Sequence, residues 1–292
     1  MIIAGSLLSS KPSPSGRGLG EGGEVRHNPP MHIAALAIYP VKGLRAVSLE
    51  TAILERQGLQ NDRRWAIAAP DGTALTQRDL PAMARIDARC DGATLRLECA
   101  GHGGIDAHPT NTPYTLNVWR TPVPTRTANP EASIWLSKIL GTPCTLVHQS
   151  DPESRAVTPD LTRPGDVVSL ADGFPLLVTT IASLADLNRR LATPIPMDRF
   201  RPNLVIDGAT PWAEDGWSHI QLGHTRLRLA SPCSRCKVTT LDQQTGLAPA
   251  RTEPLKTLGT FHRDPEGRIT FGWNAIPEAL GTIRIGDATT QT

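Results

Sequence analysis

Two thiols and two cations stand together in "SPCSRCKVTT", residues 231–240. Cys233 and Cys236 are three positions apart, Arg235 lies between them and Lys237 follows. This spacing admits several readings. Free cysteines are often small buried hydrophobes. A CxxC is also half of a closed zinc site, which needs four ligands; here there is no second CxxC and no HxxxH, and His219, His224 and His262 are single and separated. A dithiol-exchange pair wants its CxxC at the start of a helix in a βαβ setting. The residues that follow, "KVTTLD", are β-branched and read as a strand, which argues against exchange. Finally, one thiolate supplied from a loop can ligate a soft metal centre. Nearby positive charge favours the thiolate over the thiol, and Arg235 and Lys237 would also suit a phosphate-bearing cofactor.

Further cations sit at strand edges. Lys42 follows the first strand candidate in "YPVKGL", Arg63 precedes the next in "NDRRWAI", and Arg201 and Asn203 flank a proline in "FRPNLVIDG". Singly, these are an edge lysine, a solvated arginine pair and a turn. Together they are a cationic, hydrogen-bonding set in the same company as the thiols.

The elements that must position them are mostly short strands. "HIAALAIYP", "RWAIAAP", "TLRLECA" and "YTLNVWR" are apolar or alternating runs of strand length, bounded by Gly, Pro, Asn or Asp, and "PDG" at 70–72 is a turn. "PEASIWLSKILG" at 130–141 predicts a helix: Pro130 suits its first turn, Leu136, Ile139 and Leu140 share a face, and Gly141 ends it. The polar stretch 148–168 is the candidate boundary. Beyond it come a strand, "FPLLVTT", and a helix, "SLADLNRRL" at 183–191, with Ser183 as N-cap and Asp186 near the positive end. "RPNLVIDG", "IQLGHTRLRLA", "CKVTTLD", "RITFGW" and "TIRIGD" follow as strand candidates. The expectation is a mainly β, α+β protein of barrels or sandwiches with a few helices.

At 292 residues the chain has room for two domains. A hydrophobic fraction of 39% and a charged fraction of 20% suit a globular core, and a net charge of +2 without basic runs gives no nucleic-acid-binding surface. No apolar stretch reaches the ~18 residues of a membrane span. Five cysteines, an odd number without a regular framework or a secretion signal, point to a reducing cytoplasm. Residues 1–30 are rich in Gly, Pro and Ser, and read either as a disordered extension or as a mis-assigned start, with Met31 the true one. There is no dinucleotide fingerprint and no Walker loop.

Five stretches carry a resemblance: "YPVKGL", "DRRWAI", "FRPNLVIDG", "PCSRCKVTTLDQQTG" and "EPLKTL", in this order and at fitting intervals. Together they resemble the MOSC proteins, in the subgroup with an N-terminal MOSC β-barrel domain (here 31–150) packed with a MOSC β-barrel domain (here 151–292). The subgroup includes amidoxime-reducing components and bacterial proteins that detoxify N-hydroxylated bases. The resemblance implies the molybdenum cofactor, a pterin dithiolene with a phosphate tail, and Cys236 as the molybdenum ligand and catalytic residue. It implies cofactor contacts from Lys42, Arg63, Arg201, Asn203, Ser234 and Arg235, with Asp172 and Gly173 as a looser match. Gly43 stands where relatives have serine, which removes a side-chain contact, and Cys233 has no ligand role.

The activity so implied is reduction of amidoximes, hydroxylamines and N-hydroxy bases by oxygen abstraction. No cysteine follows Cys236, so no four-cysteine Fe–S domain is expected, nor a flavin or a pyridoxal-phosphate domain. Electrons then come from a separate ferredoxin, cytochrome or flavoprotein. Two alternatives use the same residues: a non-catalytic carrier or store of the cofactor, and a sulfur carrier working through a Cys236 persulfide.

Overall fold

The computed structural model describes residues 30–292 apart from 92, 93, 152, 158–161 and 251. The extension expected over residues 1–30 lies, but for Pro30, outside them. The described chain is mainly β, with three α-helices. Its strands are β1 (His32–Ile38), β2 (Val47–Leu49), β3 (Thr51–Glu55), β4 (Gly58–Leu59), β5 (Trp65–Ala68), β6 (Ile86–Asp91), β7 (Thr94–Cys99), β8 (Gly103–Ala107), β9 (Pro109–Val118), β10 (Thr121–Ala128) and β11 (Thr145–His148). After a long crossing segment come β12 (Leu176–Thr180), β13 (Leu204–Asp207), β14 (His219–Leu222), β15 (Thr225–Ser234), β16 (Thr270–Ala279), β17 (Gly281–Arg284) and β18 (Thr289–Gln291). The helices are α1 (Pro130–Leu140), α2 (Ile181–Arg190) and α3 (Leu255–Leu258).

The largest sheet runs in the order β18-β14-β15-β16-β12-β13-β1-β2. Its parallel pair is β12 with β13, and α2 makes the crossover that parallel strands require. β1 and β2, from the start of the chain, join this sheet because β1 pairs antiparallel with β13, Leu36 opposite Leu204. The alternating apolar residues of β1 thereby reach a core made largely by the other half: Ile33, Leu36 and Ile38 pack with Val178, Ile206, Leu227 and Ile283. Three smaller sheets, β5-β11-β10-β9, β17-β3-β4 and β6-β7-β8, complete the architecture.

α1 spans the expected residues. Leu136 and Leu140 are buried beside the partly buried Ile139, and Gly141 ends the helix at φ +68, a conformation glycine reaches without strain. α2 begins earlier than expected. Thr180, not Ser183, is its N-cap, and its side chain accepts from the Ser183 amide. A β-branched residue can finish β12 and cap the helix at once, so the propensity change from strand to helix falls at Thr180. Ser183 turns inward and donates to the buried Glu214 carboxylate at 2.9 Å. Asp186 sits deeper in the helix and holds Arg189, Arg190 and the Trp212 indole rather than the positive end.

"KVTT" also departs from expectation. Lys237–Thr240 is a short 3-10 turn, not a strand, and Cys236 precedes it in extended conformation. Thr239 turns the chain by donating both its amide and its hydroxyl to the Cys236 carbonyl, each at 3.0 Å. Side-chain bonding of this kind overrides β propensity. No strand therefore follows Cys236 to disfavour dithiol exchange, although a single 3-10 turn is not the helix of a βαβ redox motif either.

His148 closes β11 against the Trp65 ring, centroids 4.5 Å apart. Burial, with Arg64 beside it, pushes its pKa down to about 4. The unfolded chain, with an ordinary value near 6.5, binds more protons between these limits, so this stability is present above pH 6.5 and lost as pH falls toward 4. The loss is at most about 3 kcal/mol. We expect His148→Gln to flatten the fall in denaturant midpoint between pH 6.5 and 4.5 relative to the parent; parallel curves would show that His148 titrates normally.

Candidate functional site

The residues that the resemblance assigns to the cofactor all line one cavity of about 380 Å³: Lys42, Arg63, Asp172, Gly173, Arg201, Asn203, Ser234, Arg235 and Cys236; Lys237, the second cation of the thiol stretch, is exposed and outside its lining. Five segments, distant in sequence, deliver them. The first is the corner after β1. Tyr39 donates its amide to the buried Asp62 carboxylate at 2.8 Å, and the Arg63 amide returns to the Tyr39 carbonyl at 2.8 Å. This knits the two cation-bearing loops together. Lys42 is 5% exposed and forms a close ion pair with Asp172. Burial drives the pKa of Lys42 down, with Asp172 opposing. For Asp172, 52% exposed into the cavity it lines, burial raises the pKa, but Lys42 and Arg78 outweigh it and hold the carboxyl well below the usual range.

The strand-free segment 169–173 brings Asp172 and Gly173. Arg155, buried behind it, donates to the carbonyls of Ser169, Ala171 and Asp172 at 3.0, 2.5 and 2.9 Å. A Cβ at Gly173 would meet nothing within 4 Å, so its place on the wall does not depend on being glycine. Gly43 is different. Its φ of +85 strains any other residue, and a Cβ there would lie 2.6 Å from the Met83 Cε.

Arg63 and Arg201 both have left-handed backbone, φ +50 and +57. Each guanidinium lies over the Tyr39 ring, 4.4 and 4.1 Å from the centroid. Arg63 is fixed by Asp62 at 2.5 Å and by Asn203 at 3.0 Å. Arg201 donates to Gln243 and to the Leu44 carbonyl at 3.1 and 2.8 Å, and burial pushes its pKa down to about 10, so it stays charged at neutral pH. Asn203 is 1% exposed, and its amide is committed to the wall. Oδ1 accepts from Arg63 and the Leu177 amide, and Nδ2 donates to the Ala37 carbonyl. At most one amide hydrogen is left for a ligand.

The thiol segment is aimed by irregular pairing. The β15–β16 register shifts between Leu229 and Ser231 and again between Pro232 and Ser234; bulges of this kind re-aim side chains beside active sites. Opposite them Gly272, at φ +72, lets β16 approach β12: a Cβ there would lie 2.6 Å from the Val178 carbonyl oxygen. Ser234 is exposed at the strand end, and Arg235 donates to the Cys233 sulfur at 2.8 Å and to the Phe200 carbonyl at 2.7 Å. Its Nε, although buried, has no partner. Among the described residues, no three of His, Cys, Asp and Glu gather as a metal-ligand set. Cys236 and Cys233 are the soft donors on the cavity wall.

Sequence reasoning missed Arg78, which pairs with Asp172 at 3.1 Å. Burial works against its charge, but Asp172 and the Cys236 sulfur beside it more than compensate and raise its pKa. It missed Tyr39 as the platform for two arginines, and the amide pair of Gln77 and Gln243 that braces Arg201. No local pattern marks Arg78 or Gln77. The tyrosine stood in view within "YPVKGL". The lining has six cations, Lys42, Arg63, Arg78, Arg201, Arg235 and Arg268, against one carboxylate, Asp172. Such a cavity favours an anionic ligand.

Residues 31–143 match the MOSC N-terminal beta barrel domain and residues 165–290 match the MOSC domain. Mitochondrial amidoxime-reducing component 1 of Homo sapiens is 34% identical over 275 residues, which cover 87% of this chain and 81% of that protein. Its namesake in Mus musculus is 33% identical, with coverage of 87% and 80%. Molybdenum cofactor sulfurase of Solanum lycopersicum is 29% identical over 87% of this chain but only 35% of its own length.

Proposed function

The chain belongs to the MOSC family, with a MOSC N-terminal β-barrel domain ahead of a MOSC domain, and from that premise we propose that it is a molybdenum-cofactor-dependent reductase of N-hydroxylated compounds. The observation that carries the reading is the convergence of the soft Cys236 thiol and a cation-rich wall on one cavity, in a chain 34% identical to an amidoxime-reducing component. The residues fit the cofactor's chemistry. A dithiolene-bound molybdenum accepts one further thiolate, and Cys236 offers one. Lys42, Arg63, Arg201 and Arg235 suit the phosphate and the anionic centre, and the buried, partnerless Arg235 Nε has an unused donor. Asp172 acts through Lys42 and Arg78, which it orients. Asn203 acts mainly through Arg63.

When bound, the cofactor supplies two electrons at a Lewis-acidic metal. The substrate N–O bond breaks, two electrons and two protons are consumed, and the amine or amidine and water leave. The protein's share is to hold the anionic cofactor, keep Cys236 facing it and bring the N–OH group near. A separate electron-transfer protein restores the electrons.

The test is molybdenum and pterin content per chain after expression in a host that makes the cofactor, followed by turnover of benzamidoxime with an artificial reductant. Near-stoichiometric metal with turnover is expected. Bound cofactor that passes to an apoenzyme, with no turnover, would replace the reductase with a carrier. A persulfide mass on Cys236 without metal would replace it with a sulfur carrier.

A further inference from the structure

Beside the Cys236 cavity lies a second hollow of about 460 Å³. The two share Lys42, Thr76 and Arg78, and the second is walled by Trp119 and Arg120. These two residues are the tip of the β9–β10 hairpin, closed by the pair Val118–Thr121. Both have positive φ, +51 and +72. Two-residue tips of this kind favour Asn-Gly, Asp-Gly or Gly-Gly, because the left-handed region penalises larger side chains. A tryptophan and an arginine are poor choices for the turn. The tryptophan is also 57% exposed, so it contributes little to any core. Strained backbone carrying a large uncovered ring has no account in stability; strain of this kind collects at ligand clamps.

The ring is tied to the thiol. The Arg78 guanidinium lies over Trp119, 4.7 Å from the ring centroid. The same side chain pairs with Asp172 and lines the cavity together with Cys236. Arg78 thus forms the ridge between the two hollows. A cation on one face of the indole fixes the ring and leaves its uncovered surface to receive a flat partner.

We propose that Trp119 is a specificity-determining residue: it stacks the planar, conjugated body of the substrate in the outer hollow while the N–OH end reaches past Arg78 toward Cys236. The inference rests on the reductase reading and narrows its substrates to flat, conjugated N-hydroxylated compounds.

The experiment compares the cofactor-loaded parent with Trp119→Ala and Trp119→Phe. The first readout is the ratio of kcat/KM for benzamidoxime, which has a flat body, to that for hydroxylamine, which has none. The second is the Kd of benzamidoxime by calorimetry. Trp119→Ala is expected to lower the ratio about tenfold and weaken Kd by a similar factor, and Trp119→Phe to keep both within about threefold of the parent. An unchanged ratio, or an equal loss for both substrates, would mean that Trp119 only props Arg78, and would overturn the proposal. Binding without turnover that still depends on Trp119 would overturn the reductase reading and keep the stacking site. No binding by the parent, or equal binding by parent and Trp119→Ala, would overturn the stacking site itself.

Discussion

Serine at position 236 is expected to give a folded protein that holds little molybdenum and reduces N-hydroxylated compounds at least about 10³-fold more slowly. The magnitude follows from softness. A hydroxyl is a poor replacement for a thiolate on a dithiolene-bound metal, and even residues one shell further out cost roughly 10–100-fold when removed. The fold survives because the structural work at this position is done by the backbone. The carbonyl of Cys236 receives both bonds from Thr239, and the side chain is only partly buried. Cys233→Ser is the matched control. Its sulfur accepts from Arg235 at 2.8 Å, and a hydroxyl oxygen accepts the same bond, so metal content and rate should stay within about tenfold of the parent. Metal content, turnover and thermal midpoint of the two variants settle the assignment. Full metal in Cys236→Ser with none in Cys233→Ser would move the ligand to Cys233.

The contrast between these cysteines shows what a sequence can carry. Residue types at the motif positions were legible because each lies in a short contiguous stretch: Lys42 after β1, Arg63 before β5, Arg201 and Asn203 before β13, and Ser234 to Cys236 at the end of β15. Their convergence on one cavity needed the sheet order, which brings β1 beside β13 and β15 beside β16. No local signal says that β1, together with β2, joins the strands of the second half of the chain to complete the large sheet. The short-range errors have a common cause. "KVTT" and the start of α2 are both decided by threonine hydroxyls and amides, Thr239 folding back on Cys236 and Thr180 capping Ser183. β propensity describes a threonine on a pleated surface and is silent on these alternatives. Arg78 and Trp119 were invisible for another reason: they act on the site through an ion pair and a ring contact from segments without a motif.

Replacing Tyr39 tests whether the wall of the cavity is built before the cofactor arrives. The ring is 2% exposed, its hydroxyl donates to the Pro202 carbonyl at 3.1 Å, and burial pushes its pKa up to about 12, so it stays neutral. Two like-charged guanidiniums, Arg63 and Arg201, share this ring while holding strained backbone. Asp62 neutralises the first at 2.5 Å, whereas Arg201 bonds Gln243 and a carbonyl, both neutral. Without the ring that both contact, nothing but those bonds opposes their repulsion. Tyr39→Ala is therefore expected to cost about 3–5 kcal/mol of stability, with up to about 2 kcal/mol more from the lost cation–π contacts, and to abolish retention of molybdenum. Tyr39→Phe separates the ring from the hydroxyl. It should cost only about 1 kcal/mol and keep the metal, because the platform remains. Chemical denaturation and metal content of the two variants check both halves. If Tyr39→Phe lost the metal as fully as Tyr39→Ala, the hydroxyl bond to Pro202, and with it the position of the whole 200–203 corner, would be what holds the site open, and the stacked arginines would be a consequence of that corner rather than its support.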